Sequence, residues 1–194
     1  MFINWKLREI NLKIVYYGPA LSGKTTSLEQ IHAKTNPNVR GDLISLKTRG
    51  DRTIYFDFMQ LELNEISGLK PRFNVYTVPG QVYYAGTRKL VLQGADGVVF
   101  VADSQEHRLK ANIESARDMV ENLRALGVDP RVTPIILQCN KRDLPNISPV
   151  TTIRKHLGMN GIPTFETIAT QGVGVLDGLK MIINLVVSKA QGQL

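Results

Sequence analysis

The sequence predicts an α/β fold of three layers, in which helices cover both faces of a mostly parallel β-sheet. Short apolar runs alternate along the chain with amphipathic stretches of helix length, which is the pattern of repeated strand and helix units. Two of the apolar runs, residues 97–104 and 133–140, are almost continuous, as is typical of parallel strands buried on both faces. The chain has 194 residues, of which 43% are hydrophobic, and we therefore expect a single domain over residues 1–194.

The other elements follow from their periodicity and their end signals. Residues 53–63 alternate between apolar and polar side chains, which indicates a strand with one covered face. The patterns predict a six-stranded sheet, with strands at residues 9–18, 53–63, 72–78, 97–104, 133–140 and 164–168. Helices are expected at residues 24–34, at residues 108–126, after an N-cap at Ser148 with Pro149 as first helical residue, and at residues 175–190. Residues 35–51 form the long irregular stretch.

The turn between the second and third strands determines which residues face each other. Ser67 and Gly68 separate the two runs and suggest a hairpin, so the second strand is expected to be the one antiparallel edge strand. With a turn centred on Ser67, Asp57 and Thr77 lie at equal distances from it and face each other across the strands. A slip of one residue would separate them, so this pairing depends on the turn.

A phosphate-binding motif follows the first strand. The run "GPALSGKT" at residues 18–25 matches G-x-x-x-x-G-K-[ST] and lies between a predicted strand and a predicted helix. Backbone N–H groups there can wrap phosphates, Lys24 can neutralise the outer ones, and the Thr25 hydroxyl can bind Mg²⁺. The predicted phosphate-binding residues are Gly18, Ala20, Leu21, Ser22, Gly23, Lys24, Thr25 and Thr26. At this point both ATP and GTP remain open.

A second motif favours guanine. The run "NKRD" follows the strand that ends at Cys139, and its side chains emerge at the carboxyl edge of the sheet, where ligands of open α/β folds bind. The Asp143 carboxylate can accept from both the N1–H and the exocyclic amine of guanine, a donor pair that adenine lacks. We therefore expect Asn140, Lys141 and Asp143 to bind the base of GTP or GDP.

The motifs "GPALSGKT", "TVPGQ" and "NKRD", in this order, resemble those of the Ras-like small GTPases over nearly the whole chain. Longer runs, including "REINLKIVYYGP", "DRTIYFDF" and "RFNVYTVPGQVYY", look like the bacterial MglA-type GTPases, which control motility and polarity from the cell poles. This resemblance implies a P-loop GTPase domain, or G domain. It also implies a guanine-nucleotide switch that hydrolyses GTP.

The resemblance also implies roles for single residues. Thr53 matches the switch threonine that binds Mg²⁺ in the GTP state, and Gln81 matches the residue that orients the attacking water. Ala169 corresponds to the loop residue whose backbone contacts the guanine oxygen, and Gly80 can meet the terminal phosphate. In the MglA type an arginine beside the switch threonine, here Arg52, serves as an arginine finger in cis, positioned by a roadblock-fold, MglB-like dimeric activating protein. Read without the resemblance, Arg52 is a surface arginine in a salt bridge.

The usual magnesium aspartate is missing, because Thr77 stands in its place. In the MglA type an acidic residue of the second strand is the proposed substitute, which is Asp57 here, on the same strand face as Thr53. A simpler interpretation of Asp57 is a lone, water-exposed aspartate on an edge strand. The rival is Asp103, which ends the apolar strand of residues 97–104; we expect it to cap a helix or fix a loop instead.

Ala20 departs from the family pattern. Ras and most MglA-type proteins have glycine there, close to the terminal phosphate, and one added methyl can obstruct the transition-state arrangement of Gln81 and Arg52. The Arf branch tolerates a residue other than glycine, so we expect intact nucleotide binding with slow intrinsic hydrolysis. The alternative is a scaffold that keeps its nucleotide with very slow or no hydrolysis.

Composition limits partners and location. The formal net charge is +7, yet the basic residues are scattered, so specific nucleic-acid binding is the least favoured function. No apolar run is long enough to span a bilayer, and a lone cysteine, Cys139, fits a reducing cytoplasm. We expect a cytoplasmic protein, monomeric alone, that effectors read in the GTP state and that partners recruit to the cell poles.

Overall fold

The computed structural model describes residues 1–46, 56–62, 65, 68–80 and 85–192. Three predicted site residues, Arg52, Thr53 and Gln81, lie outside these ranges, as does Ser67, the expected centre of the hairpin turn. Their predicted roles therefore stay predictions.

Eight strands form one sheet within the described part of the chain. Its order is β3-β4-β5-β2-β6-β7-β8, with β1 paired to β2. Strands β5, β2, β6, β7 and β8 run parallel, whereas β1, β3 and β4 pair antiparallel with their neighbours. The strands are β1 (Phe2–Asn4), β2 (Glu9–Tyr17), β3 (Ile44–Leu46), β4 (Phe56–Glu62), β5 (Lys70–Thr77), β6 (Gly97–Asp103), β7 (Ile135–Asn140) and β8 (Thr164–Glu166).

The predicted fold class is confirmed, with two short strands beyond the six expected. Strand β3 pairs with the outer side of β4, so β4 is antiparallel as predicted but is not the edge of the sheet. Strand β1 pairs with the first residues of β2, which precede Ile14, the residue at which the pairing of β2 with β6 begins. Each added strand has only three residues, which is too short to show a periodic pattern.

Helices pack on both faces of the sheet. They are α1 (Lys24–Lys34), α2 (Ala85–Leu92), α3 (Leu109–Ala125), α4 (Val150–Leu157) and α5 (Val175–Gln191). Helix α1 has the predicted bounds, α3 is one residue shorter than predicted at each end, and α5 extends one residue beyond its predicted end. The prediction for the start of α4 is wrong by one residue: Pro149 is the N-cap, with extended ψ of 142°, and Ser148 lies before it. The buried Ser148 donates its N–H to the Ser104 carbonyl at 2.8 Å, which fixes the chain before the helix.

The core has two halves, one on each face of the sheet. One face packs on α1 and α5, through Leu28 of the first and Ile182 of the second. The other face packs on α2, α3 and α4, with Leu92, Met119 and Ile153 as central side chains. All residues of β6 and β7 are buried, which explains the continuous apolar runs in the sequence. The strand ends are thereby fixed relative to α1, whose first two residues are the last two of the phosphate motif.

Cys139 gives a direct test of this packing. It lies in β7 with no exposed surface, and burial raises the pKa of its thiol to about 12. Because only the exposed thiolate reacts, we expect a thiol reagent at pH 8 to leave the folded protein unlabelled. One equivalent should react once denaturant unfolds the chain, since Cys139 is the one cysteine in the sequence. Rapid stoichiometric labelling without denaturant would contradict this arrangement.

Candidate functional site

The phosphate motif forms a tight loop between β2 and α1. Gly18 has φ of +144°, and a β-carbon there would lie 2.2 Å from the Val101 carbonyl oxygen. At Gly23, with φ of +102°, a β-carbon would lie 2.1 Å from the Asn140 amide nitrogen. Both positions therefore exclude any side chain, for backbone conformation as well as space. Leu21 also has a left-handed backbone, with φ of +63°, so the loop curls back on itself before the helix begins at Lys24.

Lys24 lies buried inside this loop. Its Nζ donates to the carbonyl oxygens of Gly18 at 2.9 Å and Pro19 at 2.7 Å. Burial and, to a smaller extent, the positive charge of Arg88 together lower the pKa of Lys24 to about 7, while Asp57 opposes the shift. A bound polyanion would favour the charged form, so the environment of Lys24 suits a phosphate-binding cation.

The Asp57 carboxylate lies beside the start of α1. Its Oδ2 accepts from the Thr25 hydroxyl at 2.7 Å and from the Thr77 hydroxyl at 2.9 Å, and its Oδ1 accepts from the Ser45 hydroxyl at 2.7 Å. The Asp57 N–H donates to Thr77 Oγ1 at 2.9 Å. Phe58 pairs with Tyr76, so the predicted register that opposes Asp57 to Thr77 is confirmed. Asp57 is 7% exposed, and the interpretation as a water-exposed edge aspartate is wrong.

Asp103 faces a different part of the site. Its Oδ2 accepts from Lys141 Nζ at 2.7 Å, and its Oδ1 accepts from the Gln105 N–H at 3.1 Å. Asn112 holds its backbone through both the N–H and the carbonyl. This arrangement confirms the expected loop-fixing role. The N-cap residue of α3 is Arg108, so Asp103 does not cap that helix.

Asn140 connects the two motifs. Its side-chain Nδ2 donates to the Ser22 carbonyl at 2.8 Å, and its Oδ1 accepts from the Ala169 N–H at 2.9 Å and the Thr167 hydroxyl at 3.1 Å. The exposed Asp143 lines a neighbouring cleft of about 280 Å³. That cleft is also lined by Leu21, Gly23, Thr26, Asn140, Lys141, Leu144, Ala169 and Thr170. The structure thus brings the predicted base residues to one cleft beside the phosphate loop.

Gly80 lies directly against the phosphate loop. A β-carbon at this position would lie 2.4 Å from the backbone nitrogen of Ala20 and 2.5 Å from its α-carbon. Because these are backbone atoms, no rotamer change could make room. The segment that precedes Gln81 therefore contacts the loop at the residue where this chain departs from the family pattern.

The sequence patterns missed some residues that shape the site. Ser45 lies on β3, a strand that left no periodic signal. Lys34, at the end of α1, donates from Nζ to the carbonyls of Gln171 and Gly172, both at 3.1 Å, and so braces the Ala169 turn. A lysine in the last turn of a helix is common. Nothing in the sequence distinguishes Lys34 from other such lysines.

The chain belongs to the ADP-ribosylation factor family, whose model matches residues 1–186. It is also 53% identical over 188 residues to the mutual gliding-motility protein MglA of Myxococcus xanthus (strain DK1622), a match that covers 97% of this chain and 96% of the relative. With the site geometry, these findings identify a small GTPase that acts as a guanine-nucleotide-binding switch. Neither comparison favours the alternative of a scaffold without hydrolysis.

In the described ranges, no helix combines the length and apolar character needed to cross a bilayer.

Asp143 should decide the preference for guanine over hypoxanthine. Inosine diphosphate lacks the exocyclic amine, so the unchanged protein is expected to bind GDP about tenfold or more tightly than inosine diphosphate. In Asp143→Ala this ratio should approach one, because the carboxylate that is predicted to accept from the amine is gone. Competition binding measures both affinities, with Asp177→Ala, an exposed aspartate of α5, as control. A ratio that survives in Asp143→Ala would contradict the role.

Proposed function

We propose that residues 1–194 form one G domain in which Thr25 and Asp57 hold Mg²⁺, joined by Thr53 in the GTP state. Mg²⁺ prefers oxygen ligands at 2.0–2.1 Å in octahedral geometry, so adjacent ligand oxygens lie about 2.9 Å apart. The observation that carries the proposal is the 2.7 Å distance between Thr25 Oγ1 and Asp57 Oδ2, which is close to that spacing. The donor set, a hydroxyl and a carboxylate, also suits this cation.

The chain's own residues supply most of the proposed chemistry. The N–H groups of the phosphate loop bind the phosphates, and Lys24 offsets their charge. Gln81 orients the attacking water, and Arg52 stabilises the charge that develops during transfer, for which arginine fingers contribute roughly 10³ to 10⁵ in rate. Thr25 and Asp57 would hold Mg²⁺, which would supply positive charge beside the phosphates. The roles of Thr53, Gln81 and Arg52 are supported by the sequence resemblance alone.

We further propose that GTP fixes the conformation of residues 35–53, which include strand β3, and of the segment after Gly80, and that effectors bind this state. A roadblock-fold, MglB-like dimer would position Arg52 and so act as the activating protein. The protein would be cytoplasmic and monomeric alone, and partners would recruit it to the cell poles to control polarity and motility. The 53% identity to the gliding-motility relative supports this assignment.

Intrinsic hydrolysis is proposed to be slow. Gly80 packs on the backbone nitrogen and α-carbon of Ala20, so the segment leading to Gln81 lies against the residue that carries the added methyl group. A small displacement of the catalytic glutamine costs rate because the reaction depends on positioning. Nucleotide binding uses the backbone N–H groups of the loop and Lys24, which the methyl group leaves in place, so we expect binding to stay intact.

The assignment of the metal carboxylate can be tested by two matched variants. Asp57→Asn should lower Mg²⁺ affinity by at least about tenfold in the GTP-bound protein, and the GTPase rate should fall with it. Asp103→Asn should keep Mg²⁺ affinity, because its carboxylate binds Lys141 rather than Thr25. Both affinities come from magnesium titrations of bound fluorescent nucleotide. A loss confined to Asp103→Asn would reverse the assignment.

Single-turnover hydrolysis tests the role of Arg52. The purified protein should hydrolyse GTP slowly, and a roadblock-fold dimer should accelerate it. In Arg52→Ala we expect the accelerated rate to fall by roughly 10³, the lower bound for an arginine finger. Arg49→Ala, in the same segment, is the control and should be accelerated normally.

Two results would argue against this scheme. Fast turnover without any partner would refute slow intrinsic hydrolysis. The absence of hydrolysis both with and without the dimer would instead favour the nucleotide-retaining scaffold.

A further inference from the structure

Arg108 contacts the phosphate loop from outside the recognised motifs. It ends the 3₁₀ turn Glu106–Arg108, directly before α3. Its Nη2 donates to the Ala20 carbonyl oxygen at 2.7 Å, across 88 positions of sequence. Its Nε lies 3.7 Å from Asp103 Oδ2, and the side chain is 27% exposed. A charged donor on a backbone carbonyl makes one of the stronger hydrogen bonds in proteins.

The bond matters because of the peptide that it holds. In a trans peptide the carbonyl of Ala20 and the N–H of Leu21 point in opposite directions, and the described chain contains no cis peptide. A carbonyl turned towards Arg108 therefore turns the Leu21 N–H away from Arg108. Leu21 is left-handed, and successive N–H groups around such a residue form a concave site for anions.

Packing cannot account for the conformation of Leu21. Its side chain is 83% exposed, so side-chain packing does little to keep the backbone of Leu21 in the left-handed conformation. A left-handed conformation is unfavourable for a residue with a side chain. The hydrogen bond from Arg108 holds the preceding peptide, Ala20–Leu21, and so helps to keep Leu21 left-handed.

Arg108 is itself anchored. The Asp103 carboxylate is 1% exposed and also accepts from Lys141, the lysine of the base motif. Asn112 of α3 fixes the Asp103 backbone from both sides. The guanidinium is therefore held between a rigid strand end and the phosphate loop.

We propose that Arg108 is a positioning residue for phosphate binding, which holds the Ala20–Leu21 peptide so that the Leu21 N–H faces the diphosphate. It acts through the loop and does not touch the nucleotide. This inference rests on the proposed role of the loop in holding GDP and GTP. The competing explanation is a structural role for Arg108 in attaching α3 to the loop.

The test compares two nucleotides that differ by one phosphate. GDP should use the oriented amide, whereas GMP, which lacks the β-phosphate, should not. We expect Arg108→Ala to weaken GDP binding about tenfold and leave GMP affinity unchanged. Arg108→Lys should recover part of the loss, because it keeps a charged donor but not the fork that also reaches Asp103. Arg117→Ala, an exposed arginine of α3, is the control.

Phosphorus NMR gives a second measurement. A merely structural role of Arg108 would not shift the resonance of one phosphorus selectively. In Arg108→Ala the β-phosphorus resonance of bound GDP should shift more than the α-phosphorus resonance. An unchanged GDP affinity and an unchanged β resonance would overturn the inference. Equal losses for GDP and GMP would also overturn it, in favour of the structural role. If the unchanged protein bound GDP no better than GMP, the proposed role of the loop itself would fail.

Discussion

The Asp57 carboxylate joins three elements that are distant in sequence: the start of α1, the inner strand β5 and the outer strand β3. It accepts hydroxyl hydrogen bonds from Thr25, Thr77 and Ser45. A carboxylate that is 7% exposed needs such partners, since an unpaired buried charge is costly. The antiparallel side of the sheet is thereby tied to the phosphate loop, and the geometry of the site depends on the register of the β4–β5 pair.

That register also explains why Thr77 can replace an aspartate at the end of β5. Thr77 donates to the carboxylate of the opposite strand and accepts from its backbone N–H, so it orients Asp57 instead of supplying charge. A slip of one residue would turn the Asp57 side chain to the other face of the sheet. Pairs along β4 and β5 that contain no site residue, such as Phe58 opposite Tyr76, therefore also constrain the site, because they fix the register of the two strands.

The sequence predicted the parts of the fold that carry strong local signals. Helix α1 and the buried strands β6 and β7 have clear periodicity or continuous apolar runs, and the Asp57–Thr77 pairing followed from turn symmetry. Strands β1 and β3 have three residues each and exist because β2 and β4 offer free edges, which is a tertiary effect. Ser45 and Arg108 were missed for the same reason, since a single polar residue gains its role only through the chain that folds against it.

The two buried carboxylates of the site differ in what already surrounds them. Asp103 lies against Lys141 and Arg108, so its charge is balanced by two cations, and a further cation would gain little there. Asp57 is surrounded by hydroxyl groups, which are neutral and can turn their oxygens towards a cation. Its carboxylate, beside Thr25, is therefore the better candidate for the proposed Mg²⁺ site. This difference supports the proposal that Asp57, on the antiparallel neighbour of β5, supplies the charge for the metal, while Asp103 at the end of β6 braces the loop.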